Sequence, residues 1–240
     1  MMIIVPLPRS IGGLFVIGRD EWIAVNDRVS AIIEAAPLRD ALKYYLLASF
    51  DALLSVSERW RQSTYAELVG EAALAGVFAR DAAHTLTQLQ SEIAGLKPTD
   101  PVPERAAFTI KVGFASLADG ATERLVKAAA LEPLIADFVA QNRAADATIV
   151  GIGRSLGDQW RSLDGPLGDI EKGMIDLDRG WGNVVDVLKA AGLRAQDITM
   201  AELLAADIAL AIQAWNELAQ VAAGFDRMAA SRSAVSGPPL

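Results

Sequence analysis

The chain has 240 residues, 52% of them apolar but only 6% aromatic, with a formal net charge of −8. An acidic chain argues against nucleic-acid binding, which relies on clustered Lys and Arg, and has no general attraction to anionic lipid. It has no cysteine and one histidine, His84, which excludes disulfides, thiolate zinc sites, Cys nucleophiles and paired-histidine metal motifs.

No catalytic set, metal or cofactor is therefore expected. Asp81-Ala-Ala-His84 offers one carboxylate–histidine motif, where a di-iron bundle needs two Glu-x-x-His motifs. The lack of cysteine is compatible with export, and a secreted protein is the expectation, with a cytoplasmic one as the alternative.

The N-terminus reads "MMIIVPLPRSIGGLFVIG". It carries no early charge, and Pro6, Pro8 and Arg9 interrupt it, unlike a signal peptide. It is also shorter than the ~20 apolar residues that a spanning helix needs. Residues 1–25 are expected to form an extended apolar arm packed on the body. The functional alternative is a segment that meets a membrane or a partner through Ile11, Leu14, Phe15, Val16 and Ile17.

From Asn26 or Asp27, both good caps, the pattern is helical. Pro37 kinks or restarts it. From Leu38 to Leu96 no proline intervenes, and Leu42, Leu46, Leu53, Val56, Trp60, Leu68, Ala72, Ala75, Ala79 and Leu86 recur at helical spacing. Thr64-x-x-Glu67 resembles a capping box but brings no turn residue, so a nearly continuous helix is expected.

Pro98, Pro101 and Pro103 are the clearest stop in the chain. Asp100 should cap a second long helix with Pro101 in its first turn, running to about Leu163 with a kink at Pro133. Two stretches of roughly 60 residues would be rods of about 90 Å, folded into an antiparallel hairpin. "LDGPL" (163–167) marks a turn or a sharp kink, a third helix follows to Ala191, and a last one runs from Asp197 or Thr199 to Met228. Residues 231–240 read as a loose tail.

The last two helices share a ladder. Ile170, Met174, Leu177, Trp181, Val184 and Leu188 match Leu204, Ile208, Ala211, Trp215, Leu218 and Ala222 in 4, 3, 4, 3, 4 steps. This is a coiled-coil-like seam in which Trp181 and Trp215 fill wide gaps.

"ATIVGIGRSLGDQW" (147–160) imitates a dinucleotide loop, with Asp176 or Asp178 about 20 residues on. The supposed strand is too short, its continuation belongs to the Trp ladder, and no further β runs follow. The glycines are better read as helix residues that let neighbours approach closely or let a helix bend, each at ~0.8–1.0 kcal/mol relative to Ala.

Long antiparallel helices ending in "IEKGMIDLDRGWGNVVDVL" (170–188) and "LLAADIALAIQAWNELAQVAAGF" (203–225) resemble the bacterial α-helical pore-forming toxins of the cytolysin A, haemolysin BL and non-haemolytic enterotoxin type. The resemblance implies a soluble rod that rearranges and places apolar elements in a membrane, often with partner components. Such toxins carry an apolar tongue between the long helices. Here the connection is "GLKPTDPVPERAA", and the nearest apolar patch, "FTIKVGFASLA" (108–118), contains Lys111. Either the tongue is absent, or the N-terminal arm takes its role, or the chain assists a partner without spanning.

The expectation is an all-α, elongated antiparallel bundle over 26–230: a long helical hairpin, two shorter C-terminal helices and no enzyme site. It would act as a component of a pore-forming system or as a helical interaction scaffold. Protein partners or a homo-oligomer, and membrane lipid, are the expected contacts. The contacting candidates are Ile11, Leu14, Phe15, Val16, Ile17, Phe108 and Phe114. Trp181, Trp215, Pro101 and Pro103 have structural roles.

Overall fold

The computed structural model describes residues 5–42, 44–149 and 163–233, and every regular element among them is helical. The helices are α1 Arg19–Glu34, α2 Tyr44–Arg59, α3 Tyr65–Glu92, α4 Glu104–Phe108, α5 Phe114–Ile149, α6 Asp164–Leu193, α7 Met200–Ala205 and α8 Ile208–Ser233. The all-α expectation holds.

The first helix starts earlier than Asn26. Gly18 is its N-cap, the Gly18 N–H donates to the Glu21 carboxylate at 3.0 Å, and Asp20 and Glu21 lie in the first turn, where negative charge favours a helix N-terminus. The arm therefore ends at residue 18 rather than 25. Asn26 is no cap. It sits mid-helix, where Asn26 Nδ2 donates to the Trp22 carbonyl and Asn26 Oδ1 accepts from Trp60 Nε1 at 3.1 Å.

Pro37 restarts the chain in a 3₁₀ turn, Ala36–Ala41, which ends where Leu42 turns extended, ψ 145°. The long helix expected from Leu38 thus begins at Tyr44. Arg39 holds the turn to α2 with two bonds to Asp51, both 2.6 Å. From Tyr44 to Glu92 the helix is continuous, passing through a π segment at Trp60–Thr64. Thr64 has helical angles and makes no cap bond.

Gly95, at φ 78°, ends this helix in the left-handed conformation that glycine adopts without strain. The second long helix begins at Glu104 with Pro103 as N-cap, not at Pro101. Pro103 pushes the preceding residue out of the helical region. Asp100 instead accepts from the Lys97 N–H at 2.7 Å, closing the turn behind it. A second π segment, Thr109–Gly113, joins α4 to α5, and Pro133 lies inside α5. The first long stretch, Tyr44–Glu92, is shorter than expected, about 70 Å at ~1.5 Å per residue.

Thr148 and Ile149 belong to α5, so that part of the imitated strand is helical. The rest of the glycine motif and the helix expected to reach Leu163 lie outside the described residues.

The last helix is split. Thr199 caps α7 in a capping box with Glu202, then the chain turns extended at Ala206 and restarts at Ile208. The break shifts the ladder's phase. Leu203 takes the first buried rung, while Leu204 is 40% exposed. The remaining rungs named in both ladders are buried, Trp181 and Trp215 completely.

α3 packs along α8, α5 packs along α6, and α3 meets α5. The two Trp-bearing helices do not pair with each other along a comparable seam; the chain from Val5 to Ile17 lies there instead. Inside, Phe78 of α3 meets Trp181 edge-on at 5.0 Å and Trp215 at 5.4 Å.

Candidate functional site: an N-terminal strap in a glycine socket

The N-terminal segment is seated by backbone approach. A Cβ at Gly173 would lie 2.9 Å from Leu14 Cα and 3.1 Å from its N. A Cβ at Gly180 would lie 2.6 Å from Ile11 Cγ1 and 3.0 Å from the Arg9 carbonyl oxygen. These glycines are seven residues apart, two turns along one face of α6, and only hydrogen in place of a side chain lets the strap lie against the helix. On the other side, Trp215 Nε1 donates to the Pro6 carbonyl at 3.0 Å, and Gly12 faces Leu218. Phe15 meets Phe225 at 5.7 Å. The strap therefore runs antiparallel to α6 and parallel to α8.

Phe225 continues into an aromatic knot. It meets Trp22 at 5.3 Å, Trp22 stacks on Trp60, and Trp60 stacks on Phe138 at 4.2 Å. The π segment at Trp60–Thr64 brings Trp60 into this cluster, and such widened turns recur at functional positions.

The contacting candidates separate into three sets. Ile11, Leu14, Phe15 and Phe114 are buried core residues here, the first three because the socket covers them. Ile17 is half-buried against the core. Val16 and Phe108 are each 64% exposed. Phe108 edges a groove of about 540 Å³ lined by Gln88, Glu92, Glu104, Arg105 and Thr109. There the Thr109 hydroxyl donates to Glu92 at 2.9 Å. Val112, one turn on, is also exposed.

One buried charge was not legible beforehand. Glu71 of α3 is 3% exposed, and one carboxylate oxygen accepts from Arg124 Nη1 at 3.0 Å. The other oxygen is buried with no partner among the described residues. Burial pushes the carboxyl from 4.5 up to about 7, and nearby Arg124 and Lys127 only partly offset it. Desolvation penalises the charged form more than the single ion pair favours it.

Among the described residues no group of acidic or histidine side chains is placed to hold a metal ion, and no helix is long and apolar enough to cross a membrane. No protein family, curated protein or solved structure matches this chain.

Proposed function

We propose that this protein is a non-enzymatic helical bundle that stows an apolar N-terminal segment and delivers it to a membrane, as one component of a pore-forming type of system. The observation that supports this reading is the seating of Ile11, Leu14 and Phe15 in a socket whose wall is glycine at positions 173 and 180. Burying each such side chain is worth about 1.5–3 kcal/mol, while ordering the segment costs ~1–2 kcal/mol per residue. The net hold on the strap is thus a small difference between large terms, the condition for release.

Pro6, Pro8 and Arg9 interrupt the segment, so it does not offer the continuous apolar helix that spans a bilayer. Its engagement is interfacial, with Phe15, Leu14 and Ile11 as the inserting side chains, and any pore requires several copies or partner components. With a net charge of −8, apolar insertion rather than attraction to anionic headgroups drives binding. Co-flotation with phosphatidylcholine vesicles and dye release from them test this. Binding that is lost in a Leu14→Asp, Phe15→Asp variant supports the reading, and no binding by the wild-type chain in any lipid mixture removes it.

The second reading, a docking scaffold for protein partners, draws on exposed Phe108 and Val112 beside the groove at the α3–α4 end. It predicts partner binding lost in Phe108→Ser with the strap intact.

A further inference from the structure

We infer that the α6–α8 seam is also a docking site for the N-terminal strap of a second copy of this chain, so that copies assemble by exchanging straps. This goes beyond membrane delivery. It rests, as that reading does, on the strap leaving its own socket, but it is read without lipid.

The socket recognises backbone and position rather than its own chain. Gly173 and Gly180 accept the backbone of residues 9–14, Trp215 donates to the Pro6 carbonyl, and Leu218 meets Gly12. None of these contacts depends on which chain supplies the strap. An emptied seam would expose Trp215, Leu218 and Phe225, all buried now, and such a strip of apolar surface favours refilling over hydration. A segment of identical sequence refills it with identical contacts, which makes exchange of a terminal element a low-cost route to oligomers.

The chain is also built to let the strap swing. It joins α1 through exposed Val16, Ile17 at ψ 133° and the extended N-cap Gly18. Ser10 sits at φ 72°, a left-handed conformation that a serine holds only while its surroundings impose it. Leaving the socket relieves it.

The absence of native cysteine makes the test clean. A Cβ at Gly180 would lie 2.6 Å from Ile11 Cγ1, which is one bond from Ile11 Cβ, so the two Cβ atoms are at most about 4 Å apart and within reach of a disulfide. Two single variants, Ile11→Cys and Gly180→Cys, are mixed under mild oxidation. Only a strap seated in trans can join them. Gly180→Cys also crowds its own Ile11, which empties its socket, while Cys at 11 on the incoming strap relieves that crowding.

The expected result is a disulfide-linked heterodimer several-fold above an Ile11→Cys plus Gly182→Cys mixture, since position 182 faces open space on the same helix. A second pair, Gly12→Cys with Leu218→Cys, reads the same seating from α8 and serves if Gly180→Cys misfolds. The double variant Ile11→Cys/Gly180→Cys must close within one chain. Heterodimer at the control level with both pairs, or a double variant that fails to close, overturns the proposal. Trans cross-linking without vesicle binding would leave strap exchange standing and remove membrane delivery.

Discussion

Gly180→Ala tests whether the strap is seated as described. The new Cβ would lie 2.6 Å from Ile11 Cγ1 and 3.0 Å from the Arg9 carbonyl oxygen, with Ile11 fully buried and unable to swing aside. Forcing a methyl into a filled core costs about 1–3 kcal/mol. Ala in place of Gly in a helix returns about 0.8–1.0 kcal/mol. The same helix gain applies to Gly182→Ala, two residues on, where the Cβ meets nothing within 4 Å. The difference between the two variants isolates the clash. Gly182→Ala should gain up to about 1 kcal/mol, and Gly180→Ala should fall below it by about 1–3 kcal/mol. Urea denaturation with unchanged m-values measures the gap. Trypsin cleavage after Arg9 should also accelerate in Gly180→Ala alone. Equal stabilities and equal cleavage rates would refute the seating of the strap on α6.

Three further outcomes are expected. Glu71 titrates from 4.5 in an unperturbed setting to about 7 in the fold, so the folded state holds its proton more tightly. This stabilisation is complete below pH ~4.5 and is lost as pH rises through ~7. The total is at most roughly 3 kcal/mol, and Glu71→Gln should flatten that part of the stability–pH curve. Trp215→Phe should cost about 1 kcal/mol more than Trp181→Phe. The first leaves the buried Pro6 carbonyl without its donor, whereas Trp181 Nε1 has no partner among the described residues; paired denaturation curves decide it. Thr199→Ala removes the capping-box side chain of α7 and should cost about 0.5–2 kcal/mol, read as a lowered melting temperature.

Periodicity made the long helices and both Trp ladders legible in the sequence, because apolar side chains at 3- and 4-residue steps leave little choice of fold. The boundaries at Gly18, Leu42, Pro103 and Ala206 were less so. Each is set by a local competition between capping, proline sterics and extended backbone that periodicity does not register. Leu204 illustrates this: it keeps the spacing of a ladder rung yet faces solvent, because the Ala206 break rotates the helix behind it.

The strap was legible as an apolar arm packed on the body. Its seat was not, because it is made of hydrogens at Gly173 and Gly180 on a helix whose apolar stripe reads as ordinary core. Glycines seven apart beside a Trp rung are the signal that would have found it. Glu71 lay outside reach for a different reason. Among alanines on a helix it reads as solvated, and only the packing of α3 against α5 buries it.

If the strap leaves its socket to meet a membrane, tethering it to α6 blocks binding. Ile11→Cys/Gly180→Cys, oxidised so that the strap is tethered to α6, is incubated with phosphatidylcholine vesicles and floated before and after reductant. No flotation is expected while the variant is oxidised, and flotation at the level of the Ile11→Cys single variant is expected once it is reduced. Equal flotation in both states would mean that membrane binding does not require the strap to leave its socket.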